Sequence, residues 1–352
     1  MNDLRVATKL SRNCPTRATH PAKLCRMNWL NRLRAMDTTR MEAPTLGAVR
    51  ILVGLMWLAN LHWKVPPHFG KDTGGGLYKY IATGAENAPF APFRWLLREV
   101  VLPNYTAFGW FTLVSELLVA MLLLAGYRSR LVALAGAMLA FPIFLSVIYY
   151  PRADEWSWSY LLMIGIHLAL AASPSGRAFA IDGVLARPSA AVARALTLLG
   201  GSTILLGALG WFVSRDADFS GGSVRLLGSD AGFVADGGLV RRWELKFLWF
   251  NPLWAILTIV LGIVLVLAAR KLVLGYVAAA GFALMSVVVL FQQTFDYLRD
   301  DGQVQVVATG SNAAVWGALA LAAGLFAHHG LRDVSGSAGH VGVAEGEPAT
   351  SS

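Results

Sequence analysis

Two ionisable side chains sit inside long apolar stretches, where a charged group costs roughly 2.5–3.5 kcal/mol at a helix centre, so each calls for an explanation. Glu116 lies in Ser115-Glu116-Leu117-Leu118 and His167 in Gly165-Ile166-His167-Leu168. Counted from the outer ends of their helices, both fall roughly 12–14 Å deep at 1.5 Å per residue. Equal depth on two helices makes a Glu–His contact feasible. As a buried proton-handling or ligand-binding pair, the carboxylate would hold the imidazole's tautomer while the ring exchanged a proton with a bound molecule. A static interhelical hydrogen bond that only fixes packing is the alternative, and both readings stay open.

A second cluster gathers where the first apolar stretch ends, in His62-Trp63-Lys64-Val65-Pro66-Pro67-His68. The next outer loop supplies Asp154-Glu155-Trp156-Ser157-Trp158-Ser159-Tyr160. Lys64, Trp156, Trp158 and Tyr160 would form a ligand-binding mouth over the bundle; a belt of interfacial aromatics with solvated acids is the alternative. The two histidines are separated by Pro-Pro and share no helix face, so no metal site is expected. Arg50, one to two turns into the first stretch, reads as a snorkelling side chain or as counter-ion to an inward-reaching acid. Pro142 can kink its helix and open space beside the buried pair, or serve packing alone.

Several chemistries are excluded. Cys14 and Cys25 are the only cysteines, both ahead of the first apolar stretch, so thiol–disulfide chemistry inside the bundle has no thiols to run on. His62 belongs at the interface and His167 at the centre, an arrangement that does not suit two axial haem ligands from one chain. No Gly-rich phosphate loop, nucleophile elbow or zinc-protease helix motif occurs, and no cofactor motif is evident.

The elements that must position these groups are membrane helices. Of the 352 residues 56% are hydrophobic and 14% charged, against about 25% charged in soluble domains. A surface facing lipid removes the need for polar cover, because each helix satisfies its own backbone. Apolar stretches long enough to be spans run near 45–63, 108–125, 131–150, 158–173, 190–213, 250–269, 272–291 and 312–328. The net charge of +9 does not point to nucleic acid, since +7 of it falls within the first 50 residues, directly before the first span. Short loops carrying Arg128 and Arg130, Arg177, Arg187 and Arg194, and Arg270 and Lys271 alternate with loops of mixed charge. The positive-inside rule then puts both termini in the cytoplasm, with four loops outside.

The two halves follow the same order of long outer loop, basic turn and short outer loop. Ala48-Val49-Arg50-Ile51-Leu52 corresponds to Val192-Ala193-Arg194-Ala195-Leu196, and Leu124-Ala125-Gly126-Tyr127-Arg128 to Leu267-Ala268-Ala269-Arg270-Lys271, at nearly constant separation. The expected fold is all-α, a polytopic bundle of about eight spans arranged as two parallel four-helix units. The expected organisation is a basic tail over 1–43, a first unit over 44–186, a diverged second unit over 187–331 and a disordered tail over 332–352. The second unit does not repeat the buried groups: the position matching Glu116 falls near Ile259.

The first four spans resemble DoxX/DoxD-like membrane proteins. The residues that carry the resemblance are Arg50-Ile51-Leu52-Val53-Gly54-Leu55, Lys64, Ser115-Glu116-Leu117-Leu118 and Ala125-Gly126-Tyr127-Arg128-Ser129-Arg130-Leu131. Trp158-Ser159-Tyr160-Leu161-Leu162, Gly176-Arg177 and Ile181-Asp182-Gly183 extend it, over about 44–186. The resemblance implies a four-helix membrane subunit, in some members associated with thiosulfate:quinone oxidoreduction, in a bacterial-type plasma membrane. Lys64 and Glu116 look like matches to family positions. A second resemblance, through Tyr127-Arg128-Ser129-Arg130 and Pro174-Ser175-Gly176-Arg177, is to the transmembrane domain related to vitamin K-dependent carboxylase; the large lumenal domain is absent. The expected function is that of a membrane redox subunit taking electrons from a partner protein, with a quinone near Glu116 and His167. A scaffold that recruits a partner through outer loop 214–249, and a small-solute or proton transporter, are the rivals.

Overall fold

A computed structural model of the chain describes residues 38–61, 64–148, 157–188, 190–216, 219, 224–225, 248–292, 294–298, 304–308 and 310–341. Trp156, both cysteines, most of the 1–43 tail, most of loop 214–249 and the final residues 342–352 lie outside the described residues. Contacts divide the chain into Met1–Glu42 and Ala43–Ser352, and the bundle core belongs to the second of these.

The chain is helical. Eight apolar helices follow one another: α1 (Thr38–Leu61), then after three shorter elements α4 (Tyr105–Ala125), α5 (Ser129–Val147), α6 (Ser157–Ala172), α8 (Ala190–Ser214), α9 (Pro252–Ala268), α10 (Val273–Gln292) and α11 (Gly310–Val341). Six of them are long and apolar enough to cross a membrane; α6 and α9 are apolar but shorter. About eight spans, as the hydropathy pattern predicts, is therefore the architecture, with helix ends a few residues from those foreseen. The last helix runs past the expected 312–328 to Val341, where no proline interrupts it. Antiparallel strand pairs Val224–Arg225 with Trp249–Phe250 and Thr294–Leu298 with Val304–Ala308 join helices.

Small residues let these helices approach closely, as expected where lipid supplies no hydrophobic drive between them. A methyl group on Gly200 would lie 2.7 Å from the Gly262 carbonyl oxygen, and one on Gly207 would meet Ile259, so α8 and α9 touch backbone to backbone. Both α5 against α6 and α10 against α11 pack as long pairs, and α4 lies against α11.

One end of the bundle is tied by a polar clamp. Arg50 of α1 is fully buried and donates through Nη1 to the Leu123 carbonyl (2.5 Å) and through Nη2 to those of Phe179 (2.5 Å) and Ala178 (3.3 Å). Carbonyls at a helix end lack intrahelical donors, and a guanidinium supplies several at once. The chain turns at Gly126 (φ +65°), where a Cβ would collide with Arg50 and Ala180. Asp182 accepts from the backbone N–H groups of Arg128 (3.0 Å) and Ser129 (3.2 Å), capping the start of α5. The snorkelling expected of Arg50 is corrected here: its guanidinium turns into the protein, where the Leu123, Ala178 and Phe179 carbonyls stand within reach.

The long segment 64–107 is more structured than a loop. It forms α2 (Gly76–Asn87) and α3 (Ala91–Trp95), and a π-helical turn (Leu96–Val101) carries the chain to Leu102, whose N–H donates to the Leu97 carbonyl at 2.9 Å. In α2, Leu77, Ile81, Gly84 and Ala85 are buried at helical spacing, facing α5 and the π-helical turn. Pro92 sits within the first turn of α3, where its missing N–H costs nothing. α7 (Ile181–Leu185) is a single turn beside the clamp.

Candidate functional site

At the other end from the clamp, Lys64 follows α1 and reaches Glu116 on α4. Its Nζ lies 2.6 Å from Glu116 Oε2, and the two side chains are 2% and 1% exposed. The ammonium also donates to the Asn60 carbonyl at 2.7 Å, one of the acceptors left open at the end of α1. Glu116 Oε1 has no hydrogen-bond partner among the described residues. A buried ion pair offsets its desolvation only when its remaining polar atoms are satisfied, so that free oxygen is costly unless something else meets it.

The seat of Lys64 is built by the segment that follows it. Phe69 is fully buried with φ +48° and lies against Gly109 of α4, which has no Cβ to obstruct the ring. Tyr105 donates its hydroxyl to the Phe69 carbonyl at 2.8 Å, and Trp110 meets the Phe69 ring edge-on at 5.7 Å. Tyr78 of α2 packs edge-on against Tyr105 at 5.2 Å. These contacts pin the stretch 64–78 to the first turns of α4, and Glu116 lies two turns further along the same buried face.

Lys64 and Glu116 face a cavity of about 180 Å³ enclosed by α2, α3, the π-helical turn, α4, α5 and α6. Its wall is otherwise mostly apolar, with Leu77, Ile81, Leu97, Val101 and Ile143 among the lining residues. Pro142 and Tyr160 line it as well. The cavity can hold a flat or elongated apolar molecule and offer one charged, hydrogen-bonding end.

Of the groups singled out in the sequence, Lys64, Glu116 and Tyr160 come together on this cavity. Trp158 does not join them; it is 63% exposed on the outside of α6. Trp156 lies outside the described residues. His167 is fully buried elsewhere, with Nδ1–H donating to the Met163 carbonyl (2.8 Å) and Nε2 accepting from the Trp57 indole N–H (2.9 Å). Glu116 therefore takes Lys64 as its partner, while His167 is held by Trp57 and Met163 and wedged against Gly136, where a Cβ would strike the imidazole. With both ring nitrogens engaged, this histidine has no free position to offer a ligand. Sequence reasoning missed α2 and the π-helical turn as cavity walls; the apolar spacing Leu77, Ile81, Gly84 is the signal that marks α2.

Residues 46–207 match the protein family described as TQO small subunit DoxD. The match begins within α1 and ends within α8, and takes in both partners of the buried ion pair and the clamp. No curated protein and no solved structure matches the chain.

Proposed function

We propose that this chain, a DoxX/DoxD-like membrane protein, is the membrane subunit of a redox system linked to quinone, in the manner of a thiosulfate:quinone oxidoreductase small subunit. The observation that carries this is the Lys64–Glu116 pair standing at the charged end of an otherwise mostly apolar cavity. A quinone fits that donor set: its ring suits the apolar wall, its carbonyl suits an ammonium donor, and Glu116 Oε1 lacks a partner among the described residues. When bound, a quinone supplies acceptance of two electrons, from a partner protein, together with two protons.

The chain's own residues then have distinct tasks. Lys64 Nζ donates a hydrogen bond toward the carbonyl oxygen, its position held by the Asn60 carbonyl. Glu116 holds or passes a proton at the same oxygen and balances the Lys64 charge. The apolar wall excludes water and strengthens both interactions. His167 anchors α6 to α1 through Trp57.

The chain sits in a membrane. We place both termini on the cytoplasmic side of a bacterial-type plasma membrane, supported by the basic loops at Arg128, Arg177, Arg187 and Arg270. The same proposal divides the bundle into four-helix units over 44–186 and 187–331, supported by the two buried apolar clusters, one centred on α1, α4 and α5, the other on α8 to α11.

Purification in mild detergent, extraction of the bound lipid and assay for quinone test the reading. Quinone is expected in near-stoichiometric amount, and Lys64→Met is expected to lose it. A preparation with no more quinone than an unrelated membrane protein overturns it; if crosslinking still captures a partner, the scaffold reading takes its place.

A further inference from the structure

The exposed residues on the cavity wall reveal how it connects to its surroundings. Three lining residues are exposed: Leu96 on the π-helical turn, Phe111 on α4 and Pro142 on α5. All three are apolar. The two charged lining residues, Lys64 and Glu116, are buried. A mouth that opened to water would be rimmed by polar side chains, because an apolar rim leaves the exposed surface unsolvated. Phe111 lies six residues and Pro142 five residues in from the nearer ends of their helices, about 8–9 Å along the axis. That depth is within the hydrocarbon layer of a bilayer with a core of about 30 Å.

We propose that the cavity is loaded sideways, from the lipid, through the opening between the π-helical turn Leu96–Val101 and the exposed faces of α4 and α5, and that its ligand leaves an apolar tail in that opening while its carbonyl head meets Lys64 and Glu116. The proposal rests on the quinone reading for the head group and adds where the tail runs. The π-helical turn forms one side of the opening. It places Leu97 and Val101 inward and Leu96 outward, and π-helical turns of this kind occur frequently at functional sites. The matching ligand class is a membrane-dissolved amphiphile with one acceptor head and a long hydrocarbon tail; a water-borne metabolite does not fit.

Two measurements on the full chain in lipid nanodiscs test this. In the first, duroquinone, which has no tail, and decylubiquinone, which has a ten-carbon tail, are titrated against the unmodified protein and Leu96→Trp. The bulky indole is expected to weaken decylubiquinone about tenfold, the worth of roughly two buried methylenes, and to leave duroquinone nearly unchanged. Equal effects on both ligands, or none on either, overturn the tail's placement. If neither ligand binds the unmodified protein, the quinone reading falls and the head-group assignment falls with it. In the second, Phe111→Cys carries a nitroxide label, with Cys14 and Cys25 replaced by serine. Molecular oxygen, which concentrates in lipid, is expected to relax the label far more than a water-soluble nickel chelate. A label relaxed chiefly by nickel overturns lateral access whatever the ligand is.

Discussion

With Lys64 and Glu116 both at most 2% exposed, removing either one strands the other's charge in an apolar wall. Breaking a buried pair costs about 3–5 kcal/mol, whereas replacing both partners with apolar residues of similar size is often close to neutral. Lys64→Met alone is therefore expected to lower the melting temperature in detergent clearly, and Lys64→Met with Glu116→Leu to recover most of it while quinone reduction stays lost. Recovery of stability without recovery of activity separates a site from a strut. His167 answers differently. Trp57→Phe leaves its Nε2 unpaired and should cost about 1–3 kcal/mol in thermal stability. Because the imidazole touches nothing in the cavity, the pH profile of quinone reduction between pH 5 and 8 is expected to keep its shape. Glu116 and His167 are legible in the sequence because a polar group in an apolar run stands out. The pairing of Glu116 is not: depth counting along helices suggests His167, whereas its partner Lys64 comes from beyond the end of α1 on a long flexible stem.

At the level of elements, the eight apolar helices are legible because an uncharged hydrophobic run of about 20 residues matches the thickness of a bilayer and little else. The pieces between Lys64 and Asn104 are not, since α2 and the π-helical turn are short and mix apolar with polar residues, below what a span-length window resolves. Yet these pieces enclose the cavity and carry Lys64. The contact of Phe69 with Gly109 fixes them to α4, which makes Gly109 sensitive. Gly109→Ala pushes a methyl into the Phe69 ring and is expected to cost about 1–3 kcal/mol, with a fall in quinone reduction because the Lys64 segment must lift. Gly165→Ala is the control: its added methyl meets nothing within 4 Å, so stability and activity should hold. The measurement is thermal unfolding and quinone reduction on the same preparations.

Across the whole molecule the two halves use the same kind of helix for different ends. In the proposed second unit the position expected to match Glu116 falls near Ile259, and Ile259 packs onto Gly207. Close backbone contact through Gly200, Gly207 and Gly262 holds α8 directly against α9. The clamp around Arg50 has a consequence in time as well as in space. Its three carbonyl acceptors lie 73, 128 and 129 positions further along the chain. At about 5–20 residues per second, roughly 6–25 s of synthesis separate the guanidinium from its last partner. During that interval the first helix holds a cation that water or lipid phosphate must shelter. A nascent chain stopped before Ala178 is expected to integrate its first helix less completely than the full chain in carbonate extraction, and Arg50→Leu to remove the deficit. The order in which the ribosome delivers these residues is then part of how the protein comes to rest in its membrane.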